Sequence, residues 1–377
     1  MIQQQDSRSH ARGFDHVSSG MDGSSDGTLI DEWATTDIDE WTRRVVRRHF
    51  DPVGGSPFWL ARAAELPFDP LAITRYAELE KFGPFPREWL RHNDPTEMVP
   101  RRTPRPLAGH VWDTGGTTGS PCRVFYSDAM LEHRAVWRRW SAVAEGFGYG
   151  RTWLLATPTG PHLIGNLAWE FAAHFQARMF TIDMDPRWVR RMIRAGRLAE
   201  AGDYTQHLVE QISDVLEHQR VDYLITTSAL LLAVARRRPE LVSGLAGVRM
   251  SGTQITAEMY AEIREVLGGG ICAVSYGNTF GNCERLTTTG PDGPLTYVPS
   301  YPQVTTTVVD REDWTRPMPF GSVGRVRLTV LHDDLFAPNI LERDQAIRYD
   351  TGGRFPWEGV ADVGPLEVSQ ARPEGLY

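Results

Sequence analysis

Lysine is almost missing from this chain. One of its 40 basic residues, Lys81, is a lysine, and the rest are arginines. Any step that needs a lysine must therefore use Lys81 or a partner. Cysteine is scarce too. Cys122, Cys272 and Cys283 stand far apart, no C-x-x-C occurs, and no Cys/His cluster has metal-ligand spacing. This excludes a disulfide framework and fits a reducing cytoplasm. No run approaches the roughly 18 apolar residues of a membrane span. The opening MIQQQDSRSHARGFDHVSSGMDGSSDG has no apolar core, so no signal peptide is expected. Basic excess is also absent. The net charge of -8 argues against a general nucleic-acid binder. The expectation is a cytoplasmic protein with no nucleic acid and no membrane among its partners.

What is present is a chain of 377 residues, 41% hydrophobic, long enough for a large core and two or three lobes. Residues 1–28 are polar and read as a disordered tail. Residues 29–105 are rich in Trp, Arg and Pro, with short helical patterns such as IDEWTRRVVRRHF, and read as a helical lobe. From 106 to 295, short apolar runs alternate with amphipathic stretches. TWLLAT, RMFTID, DYLITT, VRMSG and ICAVSYG read as strands, and the segments between them as helices. That alternation predicts an α/β core with a parallel sheet covered on both faces. Residues 296–377 turn β-rich, as in YPQVTTTVVD and GSVGRVRLTVL, and predict a smaller antiparallel lobe. No internal repeat is evident.

Residues 112–121 read WDTGGTTGSP. Glycines let a ligand approach the backbone, and successive N–H groups in such a loop form an anion nest. Thr114, Thr117 and Thr118 add hydroxyls. The chemistry suits a phosphate, but the Walker A pattern is absent.

The string G-G-T-T-G-x-P resembles the phosphate loop of the adenylate-forming superfamily, whose usual form is [ST]-[SG]-G-[ST]-T-G-[KR]-P. Further segments follow in the family's order. M-S-G-T-Q-I-T (250–256) is similar to G-G-E-P-L-T, Y-G-N-T (276–279) to Y-G-x-[ST]-E, and I-R-Y-D-T-G-G (347–353) to P-L-I-R-Y-x-T-G-D. TPTGPH (157–162) and TIDMDPRWV (181–189) resemble the phenylacetate–CoA ligase-like branch. The likeness spans about 106–355.

The resemblance implies the superfamily's large-domain fold and its reaction. A carboxylate attacks the α-phosphorus of ATP, giving an acyl-adenylate and pyrophosphate. Gly115, Gly116, Thr117, Thr118 and Gly119 would hold the outer phosphates, with Thr114 at the loop's entry. Thr279 would meet the α-phosphate. Tyr276 would stack on adenine beside Gly277 and Asn278, with Gly252 and Thr253 lining that pocket. Taken alone, Tyr276 reads equally well as a core aromatic. His162, Gly252 and Phe280 are substrate-pocket candidates, whereas Trp169 reads as core. ATP and Mg²⁺ are the implied cofactors.

Four departures from the family pattern stand out. Ser120 occupies the loop's basic position. Phe280 replaces the glutamate tied to Mg²⁺, leaving Glu284 as the metal candidate if a short helix follows. Gly353 replaces the ribose aspartate, leaving Asp350 as its nearest substitute. Finally, the sequence reaches Tyr377 soon after the last motif, so the family's C-terminal lid domain and its lysine are expected to be absent. The leading expectation is an AMP ligase for a small aromatic acid in specialised biosynthesis, handing its product to an amine, a thiol, a carrier protein or an acceptor enzyme. A diazotase that activates nitrite, and a non-catalytic nucleotide-binding subunit, are the alternatives. A homodimer is the default expectation for size alone.

Overall fold

The structure, a computed structural model, describes residues 25–115, 120–286 and 293–366. Thirteen strands are described. Eleven of them form one mixed sheet. At one edge, β3 (Thr152–Ala156), β4 (Arg178–Thr181), β5 (Tyr223–Thr226), β6 (Gly247–Met250) and β7 (Ile271–Gly277) run parallel in the order 4-3-5-6-7. The sheet then turns antiparallel through β8 (Asn282–Arg285) and β9 (Thr296–Pro299). It continues through β13 (Gly359–Pro365), β12 (Leu335–Tyr349), β11 (Val323–His332) and β10 (Val304–Val309). The β-rich segment expected as a smaller antiparallel lobe is antiparallel, and it continues the same sheet. The expected boundary at 295/296 falls inside it. The remaining pair, β1 (Gly109–Asp113) and β2 (Arg123–Ser127), is a small antiparallel ladder that the sequence reading missed.

Helices cover the parallel part on both faces, so β3, β5 and β6 are buried along their whole length. Side chains alternate across the pleat. Trp153 and Leu155 point to α4 (Asp128–Glu145) and α5 (Leu163–His174), meeting Ala142 and Phe171. Leu154 and Ala156 point the other way. There they meet α7 (Leu198–His218), α8 (Ser228–Arg237) and α10 (Ala257–Leu267) through Leu208, Leu230 and Ile263. Caps fix where these helices begin and end. Ser127 accepts the Met130 N–H at the start of α4, and left-handed Gly146 (φ 98°) ends it. Thr256 and Gly268 do the same for α10.

The N-terminal lobe begins earlier than expected. Helix α1 (Ser25–Ala34) opens inside the stretch read as tail; residues 1–24 lie outside the described residues. Asp26 is buried and pairs with Arg139 of α4 at 2.8 Å, which docks α1. Helix α2 (Ile38–Phe50) covers the segment IDEWTRRVVRRHF, capped by Asp37. Its Val45, Val46 and Phe50 pack on Leu331 and Phe336 of the antiparallel sheet. The indoles of Trp41 and Trp59 donate to the Leu331 and Phe336 carbonyls, at 2.8 and 2.9 Å. Trp169, read as core, is instead 52% exposed on α5. No helix among the described residues is long and apolar enough to cross a membrane.

Candidate active site

A cavity of about 360 Å³ opens where the parallel strands end at their carboxyl termini. Ligands bind at this edge in open α/β sheets, because the strand-to-helix turns converge there. Three of the segments that the motifs singled out converge on it as well, whereas 347–353 does not line it. The stem of the glycine-rich loop, Gly252 after β6, and Tyr276 to Phe280 at the end of β7 and just beyond it all line the cavity.

The loop stem is set by the β1–β2 ladder. The Thr114 N–H donates to the Cys122 carbonyl at 2.9 Å, and the Cys122 N–H returns to the Thr114 hydroxyl at 2.9 Å. Thr114 thus closes the stem. Gly116, Thr117, Thr118 and Gly119 lie outside the described residues. Gly115 faces Arg190 of α6 (Pro186–Arg194) so closely that an added Cβ would lie 3.2 Å from the guanidinium. Arg187, from the same helix, pairs with Asp113. The Asp113 carbonyl accepts the Thr279 hydroxyl at 3.3 Å, and the Thr279 carbonyl accepts the Tyr126 hydroxyl at 2.7 Å. Thr279 is therefore fixed beside the loop stem. The Asn278 amide oxygen accepts the N–H groups of Phe280 and Gly281, at 2.8 and 3.3 Å, which sets the turn after β7.

Tyr276 lines the cavity, and its hydroxyl donates to Asp344 on β12 at 2.8 Å. Burial pushes this phenol well above its ordinary pKa. His162 precedes α5 and is 5% exposed. Burial, then the charges of Arg187 and Arg190, lower its pKa, so it is neutral at pH 7. Phe280 is a buried wall residue against Phe85.

Three expected residues sit elsewhere or act otherwise. Asp350 is exposed at the end of β12 and accepts the Gly352 N–H at 2.8 Å; it does not line the cavity. The carboxylates that β12 does present there are Glu342 and Asp344. Thr253 turns away, its hydroxyl paired with that of Ser228 at 2.8 Å. Glu284 is in the cavity wall, but no short helix carries it, because Asn282–Arg285 is strand β8. Its two oxygens are taken by Arg249 at 2.7 Å and by Asn282 at 2.9 Å. Among the described residues no group of three or more His, Cys, Asp or Glu could hold a metal.

The sequence reading missed the cavity's arginines. Arg87 and Arg91 come from a 3₁₀ turn of the N-terminal lobe. Arg91 donates to the carbonyl of Ser120, the position where the family loop carries its own basic residue. Arg87 pairs with Glu342 at 3.4 Å. Burial, only partly offset by Arg87, raises the Glu342 carboxyl to about 7, and its Oε1 has no hydrogen-bond partner. Arg134 and Arg138 enter from α4. Only the spacing in R-A-V-W-R, four apart and so on one face of an α-helix, hinted at Arg134 and Arg138; R-E-W-L-R forms a 3₁₀ turn, in which that spacing shares no face. Lys81 is not among the lining residues; it pairs with Glu78 at 2.8 Å on the surface.

No family model matches the chain, and no curated protein matches it in sequence. Solved structures do. A 2-hydroxyisobutyryl-CoA ligase, bound to 2-HIB-AMP and CoA in its thioesterification state, is 17% identical over 88% of this chain and 68% of its own, with a TM-score of 0.63. An open conformation of that ligase with the same ligands gives 15% identity, 88% and 69% coverage, and 0.60. Its postadenylation state with 2-HIB-AMP gives 16%, 86% and 65%, and 0.60. The chain thus has the fold of the adenylate-forming enzymes.

Proposed function

We propose that the protein is an ATP-dependent ligase that adenylates a small, aromatic carboxylic acid, releasing pyrophosphate. The observation that carries this reading is convergence. Three segments far apart in sequence, at 112–121, 250–256 and 276–279, match family motifs in family order and meet at one cavity at the carboxyl ends of the strands. The fold shared with ligases solved bearing acyl-AMP supports it.

Roles follow from position. Thr279 turns its hydroxyl from the Asp113 carbonyl to donate to the α-phosphate, which the acid attacks. The glycine-rich loop receives the outer phosphates. Arg91 beside Ser120, and Arg190 beside Gly115, supply the positive charge that Ser120 does not. Tyr276 stacks on adenine. Asp344, in place of Asp350, is the carboxylate facing the ribose. Catalysis is then positioning plus neutralisation of phosphate charge.

Mg²⁺ is a hard cation that takes one or two carboxylates and otherwise phosphate oxygens and water. The residues present fit that pattern through Glu342, whose Oε1 is unpartnered, rather than through Glu284. Bound there, the ion would neutralise charge on the phosphates.

The test is pyrophosphate release with ATP and Mg²⁺ across benzoates, aminobenzoates, hydroxyaryl acids and nitrite. Release with an aryl acid is the expected result. Release with nitrite alone would make the protein a diazotase. ATP binding without release in any arm would leave a nucleotide-binding subunit and sink the ligase reading.

A further inference from the structure

The wall of the cavity holds more positive charge than the reaction above requires. Helix α4 sends Arg134 and Arg138 into the cavity wall from successive turns. Arg138 is only 9% exposed. Its Nε is buried without an acceptor, and among the described residues its guanidinium has no hydrogen-bond or ion-pair partner. The nearby carboxylates are committed to a different arginine. Arg249 takes Glu145 at 2.5 Å and Glu284 at 2.7 Å. Burial pushes the Glu145 carboxyl up to about 7, so it is only partly ionised at neutral pH. Arg138 thus has only Glu284 and Glu170 as nearby carboxylate charges, neither within ion-pair distance of it. Burial lowers Arg138 to about 10, which leaves it charged at neutral pH.

A buried charge without a counter-ion is costly, and proteins keep one where a ligand completes the pair. Arg134 marks the other end of the distance. Its Nη1 donates to the Tyr126 hydroxyl at 3.2 Å, and that hydroxyl donates to the Thr279 carbonyl at 2.7 Å. Arg134 thus lies near the reacting end, and Arg138 is one helical turn away, roughly 5–6 Å along α4. The cavity lining also includes the apolar side chains Leu163 and Leu167 of α5.

We propose that the acid accepted by this cavity carries a second anionic group, and that Arg138 receives it. The substrate class is a small dianion, its charged groups roughly one helical turn apart, with an apolar or aromatic spacer. This rests on the adenylation reading of the cavity. Arg138 makes no bond to the reacting atoms; it is a specificity residue that places the acid by its far end.

The probes are isophthalate, a dianion of that spacing, and benzoate, its monoanionic counterpart. Titration calorimetry on the full chain is expected to show isophthalate binding at least about tenfold more tightly, the worth of one charge-assisted bidentate pair. Arg138→Met should abolish that preference, leave benzoate unchanged and raise the melting temperature of the ligand-free protein, because a buried unpaired charge is gone. Arg138→Lys should retain part of the preference, which guards against a folding defect in the first variant. Equal affinities in the wild type would overturn the proposal. So would an Arg138→Met variant that loses both ligands equally, since Arg138 would then be meeting the reacting carboxyl itself. Pyrophosphate release is read separately. Arg138-dependent isophthalate binding without release from ATP by any acid supports the anion site and removes the ligase reading.

Discussion

Glu342 shows how one side chain can be tuned by what surrounds it. It is buried, has Arg87 at 3.4 Å, and keeps one oxygen unpartnered. A carboxyl raised to about 7 from 4.5 stabilises the fold while protonated and loses that contribution as pH rises through 7. Glu342→Gln should therefore be more stable than the wild type at pH 8, by at most about 3 kcal/mol. The advantage should largely vanish by pH 5, where Glu342 is itself protonated. Urea unfolding of both proteins at the two pH values checks this, and a difference that grows toward acid would reverse the sign. Tyr276 gives a second residue-level test. Adenine stacking needs the ring and not the hydroxyl. Tyr276→Ala should raise KM for ATP by roughly 5- to 100-fold, the worth of one base–aromatic stack. Tyr276→Phe should keep most of the affinity. Equal losses would assign the effect to the Asp344 hydrogen bond instead. Neither Glu342 nor Asp344 was legible in the sequence. Both lie on the long strand β12, and nothing local says that its middle, rather than the T-G-G turn beyond it, faces the cavity.

At the scale of elements, α1 is held to α4 by charge as much as by packing. Arg139 is buried and meets Asp26 at 2.8 Å, Glu132 at 2.7 Å and Glu170. Removing it strands a buried carboxylate. Arg139→Met should cost roughly 3–5 kcal/mol, and adding Asp26→Leu should recover most of it. Amide exchange over residues 25–34 should quicken in the single variant. An unchanged urea midpoint and unchanged exchange would show that the pair contributes nothing. Elements with strong local signals were readable in advance. Helix α6 carries Asp185 and Pro186 at its start, and α10 has Thr256 and Gly268 at its ends. The parallel strands show as short apolar runs between such helices. β1 and β2 left no such trace. Each has five residues, and β1 is mostly exposed, so neither shows a period long enough to read. The burial of Asp26 was equally hidden, because its partner lies over a hundred residues away.

For the molecule as a whole, the adenylate-forming fold was legible because motif order survives where sequence identity does not. The sheet's continuity was not. Local patterns tell parallel from antiparallel strands, but they do not show that β7 passes directly to β8 and on to β12. The charge of the site was hidden for a similar reason. Its arginines come from the N-terminal lobe, α4, α6 and β12, so no single segment looks basic. Yet they gather around one cavity in a chain of net charge -8, which suits a site for several phosphate and carboxylate charges. The measurement that tests this account most directly uses an acid from the panel with both carboxyl oxygens replaced by heavy oxygen, incubated with ATP. If the carboxylate attacks the α-phosphorus, one heavy oxygen stays with AMP when the acyl group departs to water or an acceptor. Labelled AMP, formed only when the acid is present, is the predicted result. Unlabelled AMP, or ADP and free phosphate, would contradict it.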